Sequence, residues 1–304
     1  MDFDLLIIGS GPGGYVAAIR GAQLGLKVAI IEKEALGGVC LNWGCIPTKS
    51  FLRSAEVLKL IKASEKYGIK SEVGNIDISE VVKRSRSIAK RLSSGVEYLL
   101  KKNKVKIFIG EASFKSSKSI QIKSKNNSIK EITGKNICIA TGGRPREISG
   151  VHSSSNIWFY KEALQVDKIP NKLLVVGSGA IGVEFASFFA QMGSDVSLLE
   201  SKLTILPNED LEVSNFVEKQ FLKRGIKVYK NHSLLSLKEK GSLFEAELKS
   251  EDKTLSLEFE KVILAVGIVG NIENLNLESI NINCSNGSIV VDEYCKTNVD
   301  NIYA

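Results

Sequence analysis

Short apolar runs alternate with amphipathic segments of helical length along the chain. The apolar runs are strand-sized and lie at residues 4–8, 28–31, 135–141, 172–176, 196–199 and 261–266. None approaches the roughly 18 consecutive apolar residues of a membrane-spanning helix. Nearly continuous apolar strands are typical of parallel sheets that are covered on both faces. Strands that alternate with helices predict the α/β fold class.

One pattern occurs twice, at residues 4–32 and 172–200. Each copy has an apolar strand, a glycine motif, a helix pattern and a second strand that ends in an acid, 23 residues after the first glycine. The glycines are Gly9, Gly11 and Gly14 in the first copy, and Gly177, Gly179 and Gly182 in the second. A solitary motif of this kind is weak evidence, but two copies in the same context predict two dinucleotide sites.

Each position of the repeated pattern has a physical role in binding a dinucleotide. The first glycine makes the turn, the second lets the backbone approach a pyrophosphate, and the third allows close helix–strand packing. The terminal acids, Glu32 and Glu200, are placed to accept hydrogen bonds from ribose hydroxyls. Because a carboxylate repels a 2′-phosphate, the second site is expected to prefer NAD(H) over NADP(H). The alternative is two βαβ units that bind no ligand.

The order of these patterns predicts two Rossmann-like dinucleotide-binding domains, the second inserted in the first. Residues 1–147 and 268–304 are predicted to form one domain, and residues 148–267 the other. The strand at 104–110 and the short runs from 113 to 132 are predicted to complete the first domain, partly as exposed hairpins. Two dinucleotide sites for hydride chemistry indicate a nicotinamide and a flavin cofactor.

Residues 83–106 carry nine basic residues and one acid. Their charge of +8 exceeds the +7 of the whole chain, so the remainder is nearly neutral. An apolar helical stripe is predicted within this segment at Ile88, Leu92, Val96 and Leu99. One interpretation is a surface for nucleic acid or an anionic membrane. Because the aromatic residues of a single-strand binder are missing, we favour the solvated face of a core-packed helix, with no nucleic-acid or membrane partner.

The five cysteines in 304 residues are too few for a disulfide scaffold, and their odd number favours a reducing cytoplasm. Cys40 and Cys45 are the informative pair. Zinc needs four ligands, and neither His152 nor His232 has ligand spacing, so no metal site is expected. The pair is therefore either two structural thiols or a redox dithiol.

A bridge between the two cysteines places a condition on the backbone. A regular helix separates the Cα atoms of residues 40 and 45 by roughly 8–9 Å, whereas a disulfide needs about 4.4–6.8 Å. The segment must therefore depart from a regular helix. Gly44 supplies flexibility, and Pro47 disfavours a helical Ile46. Lys49 adds a positive charge that favours a thiolate.

Residues 37–50 resemble the active-site signature of the pyridine nucleotide–disulfide oxidoreductases. The resemblance extends through both glycine motifs to residues 301–304, and thus over essentially the whole chain. Around Cys45, residues 41–49 are most similar to the branch of the family that oxidises dihydrolipoamide. Glutathione and mercuric reductases share the cysteine spacing.

The resemblance implies a role for each matching residue. Residues expected at FAD are Gly9, Gly11, Gly14, Glu32, Lys33, Gly38, Lys49, Ala112, Thr141 and Gly142. Residues expected at NAD are Gly177, Gly179, Gly182, Glu184, Glu200, Leu234 and Gly267. Cys45 would face the flavin, Cys40 would exchange with the substrate, and Lys49 would pair with Glu184. The alternative for Glu184 is a surface acid on a helix.

The resemblance also implies a reaction and partners. Dihydrolipoamide on a lipoyl carrier protein of a 2-oxo acid dehydrogenase or glycine cleavage complex would reduce the cysteine pair, with hydride passing to NAD. The full-length protein is expected to be a homodimer. The chain is expected to end before the interface domain and before the His–Glu base that the partner subunit supplies. Alternatives are reductases of another disulfide or metal ion, and a diaphorase or NADH oxidase with idle cysteines.

Overall fold

A computed structural model describes residues 1–148, 154–241, 243–251 and 253–304. The helices are α1 (Pro12–Gln23), α2 (Gly38–Trp43), α3 (Cys45–Lys62), α4 (Ile78–Lys102), α5 (Tyr160–Ala163), α6 (Ala180–Met192) and α7 (Leu211–Lys223), with 3₁₀ turns at Ser64–Tyr67 and Leu277–Ile280. The strands are β1 (Phe3–Ile8), β2 (Val28–Glu32), β3 (Lys106–Ile109), β4 (Glu111–Ser116), β5 (Ser119–Lys123), β6 (Ile129–Ile139), β7 (Gly143–Pro145), β8 (Ile157–Trp158), β9 (Lys172–Val176), β10 (Asp195–Leu199), β11 (Lys227–Tyr229), β12 (Ser233–Lys240), β13 (Leu243–Lys249), β14 (Thr254–Phe259), β15 (Lys261–Leu264), β16 (Ile268–Gly270), β17 (Cys284–Ser285), β18 (Ser288–Ile289) and β19 (Ile302–Tyr303).

Contact density divides the chain into two compact units. The first unit comprises residues 1–46, 87–144 and 268–304, and the second comprises residues 47–86 and 145–267. The second unit thus interrupts the first twice along the chain, at residues 47–86 and 145–267. A unit defined by contacts need not be a domain that folds alone. The domain boundaries given above therefore stay a prediction.

The first unit is built on a sheet with the order β3-β2-β1-β6-β5-β4, in which β19 also pairs with β6. Strands β1, β2, β3 and β19 and the C-terminal part of β6 are parallel, and β4, β5 and the N-terminal part of β6 form antiparallel hairpins. These hairpins were predicted and are confirmed. Leu6, Ile8 and Ile137 belong to the apolar core on one sheet face, and Ile7 and Ile30 to the core on the other.

The second unit has a parallel sheet with the order β11-β10-β9-β15-β8. A separate three-stranded sheet, β12-β13-β14, is antiparallel. Residues 173–176 of β9 are fully or nearly fully buried, since helices cover one face and the antiparallel sheet covers the other. A mixed sheet in the first unit and a parallel sheet in the second confirm the predicted α/β class and the Rossmann-like architecture.

Helix α4 confirms the predicted helix but corrects its buried face. Val96 is buried, whereas Leu92 and Leu99 are 39% and 42% exposed. The buried positions nearest to Val96 along the helix are Ala89 and Leu100. These three lie at spacings of seven and four residues, which a helix places on one side. The prediction selected large apolar residues, whereas the helix packs through a narrower face that includes a small side chain.

No helix in the described parts of the chain is both long and apolar enough to cross a membrane.

Candidate dinucleotide sites and cysteine segment

The first glycine motif forms a tight turn that only glycine fits. Gly9 has φ +98°, and a Cβ atom there would lie 2.3 Å from the Ala140 carbonyl oxygen. A Cβ atom at Gly14 would lie 2.0 Å from the Gly9 carbonyl oxygen. Gly11 caps helix α1 and has open space where its side chain would be. The turn is thus closed on the protein side and open where a pyrophosphate would approach.

The second motif repeats this geometry in the other unit. Gly177 has φ +95°, and a Cβ atom there would lie 2.4 Å from the Ala265 carbonyl oxygen. A Cβ atom at Gly182 would lie 1.9 Å from the Gly177 carbonyl oxygen, whereas Gly179 is open. Gly179 caps α6 with φ −66° and ψ −178°, nearly the −64° and −177° of Gly11. Both helix N-termini therefore present their backbone amides in the same way.

Each terminal acid is held by the serine between the first two glycines. Ser10 donates to Glu32 Oε2 from its backbone nitrogen at 3.0 Å and from Oγ at 2.6 Å. Ser178 makes the same two bonds to Glu200 Oε2, again at 3.0 and 2.6 Å. Both acids are buried. The two serines were not among the predicted site residues, although the repeated Gly-Ser-Gly triplet carried the signal.

The pKa of Glu200 lies below its ordinary value. Burial on its own raises this pKa, but hydrogen bonds from Ser178 Oγ, the Lys202 amide, the Ser178 amide and Ser201 Oγ favour the carboxylate and outweigh it. The Lys202 amide donates to Oε1 at 2.9 Å. Glu200 is therefore an ionised acceptor oriented before any ribose arrives.

A cavity of about 500 Å³ opens beside the first glycine turn. This volume is in the usual range for cofactor pockets. The predicted FAD residues in its lining are Gly9, Gly11, Glu32, Lys33, Gly38, Ala112, Thr141 and Gly142, joined by Cys40. Gly14 lies under the turn rather than in the lining. An open glycine amide, a helix N-terminus and a buried carboxylate in one cavity fit the pyrophosphate and ribose of FAD.

A polar network at this cavity was not predicted. Arg144 forms a bidentate ion pair with Glu273, through Nη1–Oε2 at 2.9 Å and Nη2–Oε1 at 2.6 Å. The hydrogen bonds from Arg144 lower the pKa of Glu273. Asn271 Nδ2 donates to the Thr141 carbonyl oxygen at 3.0 Å, which fixes the turn after β6. These partners are about 130 residues apart in sequence, so no local pattern could reveal them.

The cysteine segment departs from a regular helix, as predicted for a redox pair. Cys40 lies in α2, which ends at Trp43, and Cys45 begins α3. Gly44 between them has φ −132° and ψ −115°, far from helical values. The expectation for Ile46 was wrong, because Ile46 is helical in α3. Pro47 lies in the first turn of that helix, where a backbone N–H would have no hydrogen-bond acceptor within the helix.

Lys49 and Glu184 form an ion pair within the second unit, with Nζ 2.5 Å from Oε1. Their side chains are 61% and 27% exposed. An exposed pair of this kind contributes little to stability. Along the chain, Lys49 follows Cys45 by four residues, about one turn of α3. The predicted pairing of Lys49 with Glu184 is thus seen in the structure, and its role at the cofactors stays a prediction.

The remaining predicted NAD residues, Gly267 and Leu234, belong to the second unit. Gly267 has φ +116° and accepts a hydrogen bond from the Arg146 amide at 2.9 Å. Leu234 is half-buried in β12 and packs against an apolar core. His232 bonds the Lys230 carbonyl through Nδ1. His152 lies outside the described residues. Among the residues that the structure does describe, no cluster of acids, histidines and cysteines is arranged to hold a metal ion.

Curated relatives match nearly all of this chain. The dihydrolipoyl dehydrogenase of Zymomonas mobilis is 46% identical over 304 residues, which are 99% of this chain and 65% of that protein. The dihydrolipoyl dehydrogenase of Rhizobium etli is 44% identical over 320 residues, 99% of this chain and 66% of that protein. The chain thus spans slightly less than two thirds of the length of these relatives.

Solved structures share the fold. The Cu(II) complex of the HOCl-induced flavoprotein disulfide reductase RclA from Escherichia coli superimposes with a TM-score of 0.84 at 26% identity, over 100% of this chain and 65% of that one. LpdA from Mycobacterium tuberculosis gives a TM-score of 0.91 at 24% identity, over 98% and 66% of the two chains. The second comparison supports the fold alone.

The sequence profile of one protein family covers residues 3–304. Members of that family use FAD and NAD(H), so the expected cofactors are confirmed for the family. The two glycine turns, the buried acids and the cysteine segment lie within the matched residues. This chain therefore belongs to the pyridine nucleotide–disulphide oxidoreductases.

Proposed function

We propose that the complete protein oxidises protein-bound dihydrolipoamide and reduces NAD⁺. The observation that carries this proposal is the Cys40–Cys45 segment, in which Gly44 breaks the helix and Cys40 lines the cavity of the first glycine turn. Relatives named dihydrolipoyl dehydrogenase, 46% and 44% identical, support the choice of substrate. Glutathione and mercuric reductase-like activities, and a diaphorase with idle cysteines, are the competing functions.

The two glycine turns are assigned to two cofactors. FAD would occupy the cavity of the first unit, with its pyrophosphate at the Gly11 amide and a ribose at Glu32. NAD would occupy the second turn, with its pyrophosphate at Gly179 and the adenosine ribose at Glu200. Because Glu200 is ionised and already oriented by Ser178, it would repel the 2′-phosphate of NADP(H).

The cysteine chemistry is thiol–disulfide exchange. A thiolate of dihydrolipoamide attacks Cys40 Sγ in the Cys40–Cys45 disulfide, and Cys45 leaves as a thiolate. The second substrate thiol then attacks the mixed disulfide, which releases cyclic lipoamide and leaves both cysteines reduced. FAD, when bound beside the first glycine turn, would supply the acceptor for this electron pair and the hydride donor for NAD⁺. Lys49, held by Glu184 at 2.5 Å, supplies positive charge one turn after Cys45.

The wider setting of the reaction belongs to the same proposal. The family resemblance implies a His–Glu base from a partner subunit, and hence a homodimer as the active form. Lipoyl carrier proteins of 2-oxo acid dehydrogenase or glycine cleavage complexes are the proposed partners. The odd number of cysteines, five in this chain, supports a reducing compartment such as the cytoplasm.

Steady-state kinetics of the complete protein test the proposal. NAD⁺ reduction is measured with dihydrolipoamide, and NADH oxidation is measured with lipoamide, glutathione disulfide or Hg(II) as acceptor. We expect lipoamide to be the preferred acceptor, and NADH to be used at least several-fold better than NADPH. A preference for glutathione disulfide or Hg(II) would assign the protein to another branch of the family. Equal use of NADH and NADPH would contradict the role of Glu200.

A further inference from the structure

A second cavity lies in the first unit and shares no residue with the cavity of the first glycine turn. Its volume is about 410 Å³. It is lined where β1, β2 and β3 begin, near Phe3, Val28 and Lys106, whereas the glycine turn follows the other end of β1. The two cavities therefore lie at opposite ends of the parallel strands β1, β2 and β3. Nothing in the proposed reaction uses the second cavity.

Four lysines and two phenylalanines give this cavity its chemistry: Lys27, Lys104, Lys106, Lys130, Phe3 and Phe108. The two rings meet edge to face with their centroids 6.1 Å apart. Lys27 Nζ lies 5.4 Å from the Phe3 ring centre, and Lys130 Nζ lies 4.9 Å from that of Phe108. A ring face attracts an ammonium group without neutralising it. The cavity thus contains two aromatic rings together with ammonium groups that keep their positive charge and can bind an anion.

The two acids of the cavity, Asp2 and Glu131, compensate only part of the charge of its four lysines. Asp2 accepts hydrogen bonds from the Thr133 amide and Oγ1 at 2.9 and 3.0 Å. Glu131 is bound by Lys115 at 2.7 Å and by Ser119 Oγ at 2.6 Å. Within the described chain, none of the four lysines of the cavity forms an ion pair. The lining therefore carries a net positive charge that attracts an anion.

Lys104 is held in an unusual backbone conformation. It has φ +58° and follows the end of α4, a position where glycine or asparagine is usual because a Cβ atom is strained there. Most other non-glycine residues with positive φ in the described chain are asparagines. Strained backbone conformations concentrate at functional sites. A lysine at this position places one more ammonium group in the cavity.

We propose that this cavity binds a nucleoside di- or triphosphate. The base would displace the Lys27 and Lys130 ammonium groups from the phenylalanine ring faces, and these groups would then contact the phosphates. Lysine binds phosphate as a point charge, and a cavity of this size is in the range for small ligands. The site also gives a function to Lys104 and Lys106, the end of the basic segment 83–106. The proposal is independent of the assignment of the two glycine turns.

Calorimetric titration of the complete protein with ATP tests the site. Magnesium is left out, and saturating NAD⁺ keeps ATP from the second glycine turn. We expect one ATP per chain. The double variant Lys106→Gln/Lys130→Gln should weaken ATP binding by about tenfold. Each exposed lysine–phosphate pair that the variant loses contributes only modestly to the binding free energy. The matched control Lys123→Gln/Lys125→Gln removes the same charge from exposed residues outside the cavity and should change the affinity less than twofold.

The aromatic part of the proposal has its own measurement. Inorganic triphosphate should bind more weakly than ATP, and Phe108→Leu should remove this difference while the circular dichroism spectrum is retained. The absence of ATP binding, or equal weakening by both lysine double variants, would overturn the site. An ATP preference that survives Phe108→Leu would overturn the role of the ring.

Discussion

Ser178 Oγ lies 2.6 Å from Glu200 Oε2, and Ser10 Oγ lies 2.6 Å from Glu32 Oε2. In both copies the backbone nitrogen of the same serine donates to the same oxygen at 3.0 Å. The residue between the first two glycines thus joins the phosphate turn to the ribose acceptor. We infer that the turn and the acid act as one preorganised unit in each site.

The two serines give a matched pair of variants. Ser178→Ala removes a hydrogen bond to a buried carboxylate, so the second unit should lose about 1.5–3 kcal/mol of stability, and NADH should bind several-fold more weakly. Ser10→Ala should instead promote loss of FAD and leave the affinity for NADH unchanged. The measurements are flavin content after dialysis and NADH titration. If each variant affected both cofactors equally, the assignment of one cofactor to each turn would be wrong.

Two glycines of the second motif have different roles. Gly182 permits close packing of the turn, and Gly179 leaves space for the pyrophosphate of NAD. Gly182→Ala places a Cβ atom 1.9 Å from the Gly177 carbonyl oxygen, so it should lower stability by at least about 1–3 kcal/mol. Gly179→Ala meets open space at a negative φ. It should leave the melting temperature nearly unchanged but weaken NADH binding at least tenfold, because the methyl group occupies the path of the pyrophosphate. Normal NADH binding by Gly179→Ala would contradict the placement of NAD.

Glu200 should contribute stability that depends on pH. Its pKa is lowered in the folded protein, so the unfolded chain binds its proton more tightly. The stabilisation is therefore fully present above the unfolded pKa of about 4.3 and is lost as pH falls through the folded pKa. Wild type and Glu200→Gln are compared by urea unfolding between pH 7 and pH 3.5. The advantage of the wild type should stay constant down to about pH 5 and shrink below it. An advantage that grew on acidification would contradict the sign of the shift.

Local pattern was sufficient to predict the two nucleotide units. The glycine motifs and their terminal acids are short-range signals, and the structure places Glu32 and Glu200 against their own turns. The ion pair of Arg144 with Glu273 could not be predicted, because it joins residues 129 apart in sequence. Tertiary contacts of that kind leave no periodic pattern.

The errors in α4 and α3 have physical reasons. In α4, hydrophobicity selected Leu92 and Leu99, but close packing chose Ala89 and Leu100. In α3, the restriction that Pro47 places on Ile46 was given too much weight. A proline in the first helical turn is tolerated, since the turn begins with unpaired N–H groups.

Cys40 and Cys45 carry the electrons of the proposed reaction, and single-cysteine variants of the complete protein give the sharpest test of that role. Cys45→Ser and Cys40→Ser are assayed for NAD⁺-dependent oxidation of dihydrolipoamide, with flavin content and NADH affinity measured alongside. Cys284→Ser, a cysteine outside both glycine turns, is the matched control. Either active-site variant should lower kcat at least a thousandfold, because thiol–disulfide exchange needs both sulfurs, while FAD and NADH stay bound. Turnover near the wild-type rate in Cys45→Ser, with flavin retained, would show that the pair is structural and that a diaphorase activity explains the protein.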